Sequence, residues 1–143
     1  MILLILPFIA HTFTFITRLR SNEAQWAEYG SNSYEIILAS NSLDDPTGGI
    51  NQVTIENGQI ISGHNPDCAL CGPGDFRQFT VEALFARIWK ECVQDRLLRF
   101  SIPICNVAYD PELGFPRRLD TYTFTQEGKY QSSITVERVS LDP

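Results

Sequence analysis

Apolar residues fill nearly every position from Ile2 to Ile16, and after Arg20 they thin into spaced, patterned positions. The opening run is shorter than the roughly 20 apolar residues that a bilayer-spanning helix needs, and Pro7 and His11 interrupt it. It has the apolar middle of a secretory signal, but no charge precedes Arg18 and Phe8 before Ala10 makes a poor cleavage site. Two readings follow: a signal peptide with an atypical start, or an uncleaved anchor flanked by Arg18 and Arg20. The alternation in "HTFTFIT" would instead suit a buried strand. The expected division is residues 1–20 as a signal-like or anchor segment and residues 21–143 as a single domain.

Beyond Arg20 the pattern predicts a short helix, with Ser21 and Asn22 as candidate N-caps and Gly30 as its stop. "SYEIILAS" then has strand composition, followed by the polar loop "NSLDDPTGG". Residues 51–63 form a predicted hairpin, because Val53 and Ile55 alternate with polar residues before Asn57-Gly58, a pair suited to a type I′ turn. "TVEALFARIWKECVQD" carries Val81, Leu84, Phe85, Ile88, Trp89, Cys92 and Val93 at helical spacing, with Thr80 as N-cap and Glu82 in the first turn. That stripe must be covered by a sheet. The hairpin and three β-rich segments, "IPICNVAY", "RRLDTYTF" and "SSITVERV", can supply it. The predicted fold is α+β: one long amphipathic helix packed on an antiparallel sheet of five or six strands, plus a short N-terminal helix. The order of helix and three strands, taken twice, also permits two similar half-units, although no residue-level repeat accompanies it.

The 143 residues, 43% of them hydrophobic, suit one core, and no low-complexity tract or long like-charge run suggests disorder. Seventeen acidic residues against eleven Lys plus Arg give a net charge of -6, which argues against nucleic acid and anionic membrane surfaces as partners. Four cysteines, Cys68, Cys71, Cys92 and Cys105, are an even set that an oxidising compartment would pair. Three connectivities are possible and the spacing does not choose among them. A bridge from Cys92 to Cys105 would tie the helical stripe to a strand and leave Cys68 and Cys71 in a small ring; crossed pairings would hold the loop more firmly. A redox dithiol at Cys68/Cys71 would require a helix start at Cys68, and Gly72-Pro73-Gly74 breaks the chain directly after the pair. Zinc would need Cys92, Cys105 or His64 to complete four ligands at irregular spacing.

"YDPELGFP" is a rigid reversal between strands. Pro111 presets φ after Asp110, Gly114 can adopt a positive φ, and Tyr109 with Phe115 and Pro116 can clamp the turn to the core. An oxygen cluster of Asp110, Glu112 and Asp120 for calcium does not have the spacing of a dedicated calcium loop. The chain contains no G-x-S-x-G elbow, P-loop or H-E-x-x-H. His11 lies in the leader and His64 in a loop, while Glu35, Asp44 and Asp45 suit solvated surface. No catalytic set, metal site or cofactor is therefore expected.

The order of these elements resembles an uncharacterised bacterial family of small exported or lipoprotein-type domains. The resemblance rests on Trp26 and Tyr29 in an early helix, the hairpin Val53 to Ile60 with Gly58, and the T-V-x-x-L-F helix from Thr80 to Ile88. It continues in Tyr109, Asp110, Gly114 and Pro116, with Phe115 where a Tyr is usual, and covers residues 22 to 138. No lipidation cysteine follows the leader, since the first cysteine is Cys68. The resemblance implies an α+β fold and export, and leaves the activity open.

The function expected from all this is a small exported or membrane-tethered, non-enzymatic binding or structural module of the cell envelope or extracellular space, acting on an unknown protein or small ligand. A thiol-redox or zinc-binding protein using Cys68/Cys71 is the alternative. A further alternative is an inhibitor-like module presenting the hairpin and the 43–50 loop.

Overall fold

The computed structural model describes residues 5–41, 48–95, 104–125 and 128–141. Helix α1 (Ile5–Tyr29) leads into strands β1 (Tyr34–Asn41), β2 (Gly49–Glu56) and β3 (Gln59–His64). A 3-10 helix (Pro73–Phe79) and helix α2 (Val81–Ile88) precede β4 (Ile104–Tyr109), β5 (Pro116–Thr125) and β6 (Gly128–Leu141). The expected α+β class and antiparallel sheet are present. Strand order is β3-β2-β1-β6-β5-β4, every neighbouring pair antiparallel.

The helices differ from expectation in both length and place. The longest is α1, which begins in the apolar segment and crosses residue 20 without a break. Between Pro7 and Gly30 no glycine or proline interrupts it, so the change from apolar to mixed composition alters only what the helix faces. Ser21 and Asn22 are therefore interior positions, not caps, and the Asn22 side-chain amide donates back to the Arg18 carbonyl at 2.8 Å. Leu19 and Trp26, two turns apart, reach the core.

The predicted long helix over residues 80–95 is α-helical only through Ile88, and Trp89–Gln94 continues as a π-helical turn. Thr80 caps it as expected, its hydroxyl accepting the Ala83 N–H at 3.1 Å. The stripe survives the change of winding, since Val81, Leu84, Phe85, Ile88, Cys92 and Val93 are all buried. Residues 73–79 coil into the 3-10 helix with Pro73 at its first position, and bury Phe76 and Phe79.

In the sheet, Tyr34, Ile36 and Leu38 of β1 face inward beside Val53 and Ile55 of β2 and Ile134 and Val136 of β6. With Val107, Leu119 and Phe115 they form one core with the two helices, and burial of each large apolar side chain contributes about 1.5–3 kcal/mol. The hairpin turn has Asn57 at φ 50° and Gly58 at φ 75°, the type I′ geometry that Asn-Gly predicts. A two-fold repeat of half-units would join like strands. Instead β1, the first strand of one meander, pairs with β6, the last of the other. The opposite sheet face holds the polar pairs, with Glu35 accepting from both Gln52 and Arg138, and also exposes the apolar Ile50 and Phe124.

Candidate functional site

Three elements meet at one end of the core: the C-terminal half of α1, the start of α2, and the turn between β4 and β5. The turn closes with Asp110 N–H donating to the Phe115 carbonyl (2.8 Å) and Gly114 N–H to the Asp110 carbonyl (3.0 Å). The Asp110 carboxylate accepts the N–H groups of Glu112 and Leu113 at 3.0 and 2.9 Å, an Asx-type brace. Gly114 has φ +81°, and a Cβ placed there would lie 2.6 Å from the Asn22 carbonyl oxygen on α1. Gln25 completes the joint, its amide donating to the carbonyls of Pro111 (3.0 Å) and Glu112 (2.8 Å). The turn residues singled out from sequence thus serve as a dock for α1.

Aromatic rings fill the joint. Trp26 meets Tyr34 and Phe115 edge-to-face, at 5.3 and 6.1 Å between centroids, and Tyr109 stacks on Phe85 at 6.4 Å. The Arg18 guanidinium stands over Tyr109 and that of Arg20 over Trp89, both 5.5 Å from the ring centroid. The two tryptophans of the chain cross-link the helices reciprocally. Trp26 on α1 donates its indole N–H to Glu82 Oε1 on α2 (3.0 Å), and Trp89, beyond α2, donates to Glu23 Oε2 on α1 (3.2 Å). The other oxygen of Glu82 accepts the Tyr34 hydroxyl at 2.7 Å, and that hydroxyl accepts the Val81 N–H at 2.9 Å.

Burial, then the charge of Glu82 and its hydrogen bond, push the Tyr34 phenol far above its ordinary pKa. The phenol therefore remains a donor to the carboxylate. Tyr109 is pushed up to about 12, chiefly by burial, with Arg18 opposing and Glu23 adding to the rise. Beside this joint lies a cleft of about 360 Å³, lined by Glu23, Trp26, Ala27, Ser31, Asn32 and Glu82 among others.

All four cysteines are paired, Cys68 with Cys71 and Cys92 with Cys105. The second bridge ties the π turn after α2 to the edge strand β4. With no thiolate left, the Cys-based zinc set has no ligands beyond His64, which is exposed at the end of β3. The calcium cluster is not assembled. Asp120 lies on the polar sheet face, paired with Arg118 (2.7 Å) and accepting from Ser133 (2.7 Å), while Asp110 is taken up by its own turn. Among the described residues no three His, Cys, Asp or Glu side chains gather as a metal site. Asp44 and Asp45, and most of the 43–50 loop, lie outside the described residues.

Sequence reasoning missed the loop's anchor. Asn65 and Asn51, both buried, bond to each other at 2.9 Å, and Asn65 also accepts the Asp67 N–H at 2.8 Å, so the loop carrying Cys68 is fastened to β2. It also missed Gln25, and it read Glu82 only as a dipole partner. No local signal links Glu82 to Trp26 and Tyr34, which stand 56 and 48 positions away.

Fold and joint together define a disulfide-crosslinked α+β module, with two helices laid on one face of an antiparallel sheet and a cleft between them. A family of unknown function, DUF6174, matches residues 18–126, more than half of the chain, and the protein belongs to that family. No curated protein and no solved structure matches it.

Proposed function

We propose that the protein is a non-enzymatic binding module working in an oxidising, extracytoplasmic compartment. The observation that carries this reading is the pairing of all four cysteines, because a cytosolic chain would keep them as thiols. The apolar segment before Arg18 supports export, as a cleaved signal or a retained tether. Packing limits where cleavage could fall. Leu19 is fully buried and Phe15 and Ile16 lie against the core, so removal of all of residues 1–20 would strip three apolar contacts from α1. Among the described residues no helix is long and apolar enough to cross a membrane.

The test is intact mass of the protein from its native host, before and after reduction with thiol alkylation. The expected result is no alkylation until reduction and then four modifications. Four free thiols on a full-length chain would overturn the reading. A redox role for Cys68–Cys71 is the second reading, favoured by the ring's place at the surface with Leu70 98% exposed. A turnover assay separates the two: a catalytic bridge passes its oxidation repeatedly to the thiols of a reduced substrate protein, and a structural one does not.

A further inference from the structure

Asn57-Gly58 is the only Asn-Gly step in the chain, and both residues are exposed at the tip of the β2–β3 hairpin. Such a pair has chemistry of its own, because glycine offers its amide nitrogen to the preceding asparagine side chain with no Cβ in the way. In the ring closure the Gly58 nitrogen gives its proton to solvent and attacks Cγ of Asn57. The Cγ–Nδ2 bond breaks, the side-chain nitrogen takes a proton from water and leaves as ammonia, and a five-membered succinimide remains. One water then opens the ring at either carbonyl, giving aspartate or an isoaspartate whose backbone runs through the former side chain. One asparagine and one water thus become one aspartyl residue and ammonia, with no oxidation or reduction.

The folded turn opposes the attack in two ways. Among the described residues Asn57 is the one residue other than glycine with a positive φ, 50°. In that left-handed region ψ is about +47°, which swings the following amide nitrogen to the side of the backbone away from Cβ. The nitrogen is also held: Gly58 N–H donates to the Asn32 carbonyl at 2.8 Å, and Asn57 N–H donates to the Ser33 hydroxyl at 3.1 Å. Both acceptors lie between α1 and β1, so two successive amides of the hairpin tip are latched to that connector. Burial plays no part, since a Cβ built on Gly58 would meet nothing within 4 Å and water has free access. We propose that Asn57 is a self-modification site latched shut by the fold, closing to the succinimide only when the hairpin tip lifts off Asn32 and Ser33. The isoaspartyl product adds a backbone carbon to a two-residue turn that requires two left-handed residues, so the latch does not re-form and the change runs one way. This inference is independent of the binding reading and of the compartment.

The test incubates the full chain, its bridges closed, in mildly alkaline buffer with and without denaturing urea, and follows ammonia release and isoaspartate in the peptide that contains Asn57. The folded chain is expected to convert at least about tenfold more slowly than the chain in urea, because opening of a hydrogen-bonded turn limits it. Ser33→Ala removes one bond of the latch and leaves the turn residues intact. It should speed conversion of the folded chain about fivefold, the equilibrium effect of one hydrogen bond, and change nothing in urea. Ser33→Thr, which keeps the hydroxyl, should restore the slow rate. Hydrogen exchange gives a readout that needs no variant: the Gly58 amide should be protected in the folded chain, yet exchange faster than the amides of the central strand β1. Equal conversion with and without urea, no conversion in urea, or a folded Ser33→Ala chain no faster than the wild type would overturn the proposal. So would Gly58 exchange that matches β1, because the tip would then open only when the whole molecule unfolds.

Discussion

Gly114 shows how much one position can carry, because two independent demands coincide there. Its φ of +81° disfavours any side chain, and the α1 backbone at Asn22 leaves no space for a Cβ. Gly114→Ala should therefore cost about 2–4 kcal/mol, the sum of a left-handed residue and an overpacked contact, measured as a shift in the urea midpoint. Tyr34 and Tyr109 carry a second residue-level consequence. Both phenols have pKa values raised in the folded state, so the fold favours their protonated forms and is at full strength below the ordinary tyrosine value near 10. Stability should then fall as pH rises from about 10 through about 12 for Tyr109, with the Tyr34 contribution lost still higher. Urea unfolding across this range checks the sign. Tyr109→Phe should flatten the fall, and a loss of stability on moving from pH 12 back towards 10 would contradict the assignment.

Elements are held in two ways, by crossed hydrogen bonds at the joint and by two covalent bridges. Cys92–Cys105 closes a 13-residue separation between α2's extension and β4, and in the chain-entropy picture is worth about 3 kcal/mol. Cys68–Cys71 spans three positions and constrains little of the unfolded chain, so its effect is local, fixing the tip that presents Leu70. The bridges also differ in access, since Cys92 is buried at 3% exposure beside a half-buried Cys105, whereas both cysteines of the small ring are half-buried. Graded reduction of native protein, followed by alkylation and peptide mapping, should open Cys68–Cys71 first with little loss of stability. Opening of Cys92–Cys105 should accompany unfolding. The reverse order would mean that the helix-to-sheet bridge is not protected by the fold.

At the scale of the molecule, one apolar core joins α1, both segments around α2 and all the central strands, while the other sheet face carries the ion pairs Arg118–Asp120 and Glu35–Arg138. The exposed pair Glu35–Arg138 on that face contributes at most about 1 kcal/mol, so cohesion comes from the covered side. A single core of this kind predicts one cooperative transition. Tryptophan fluorescence, which reports the α1–α2 joint, should coincide with the circular dichroism of the sheet during urea unfolding. An earlier fluorescence transition would show that the joint opens as a separate unit.

Local chemistry was legible wherever near neighbours along the chain decide the outcome. Asn57-Gly58 specifies its turn because the turn needs two positive φ values, the 81–93 stripe specifies a buried helical face, and Asp110 to Pro116 specify a rigid reversal. The sequence also determined the α+β class, since helical and strand periodicities follow from side-chain spacing alone. Other features depend on which distant surfaces meet. The continuation of α1 across Arg20 follows from the absence of a breaker together with a core that accepts Leu19 and Trp26. The choice among three disulfide connectivities required the approach of β4 to the end of α2. The cleft required tertiary structure most of all, because Glu23, Trp26, Tyr34, Glu82 and Trp89 share no local pattern, and only the packing of two helices on one sheet face brings their polar atoms within bonding distance.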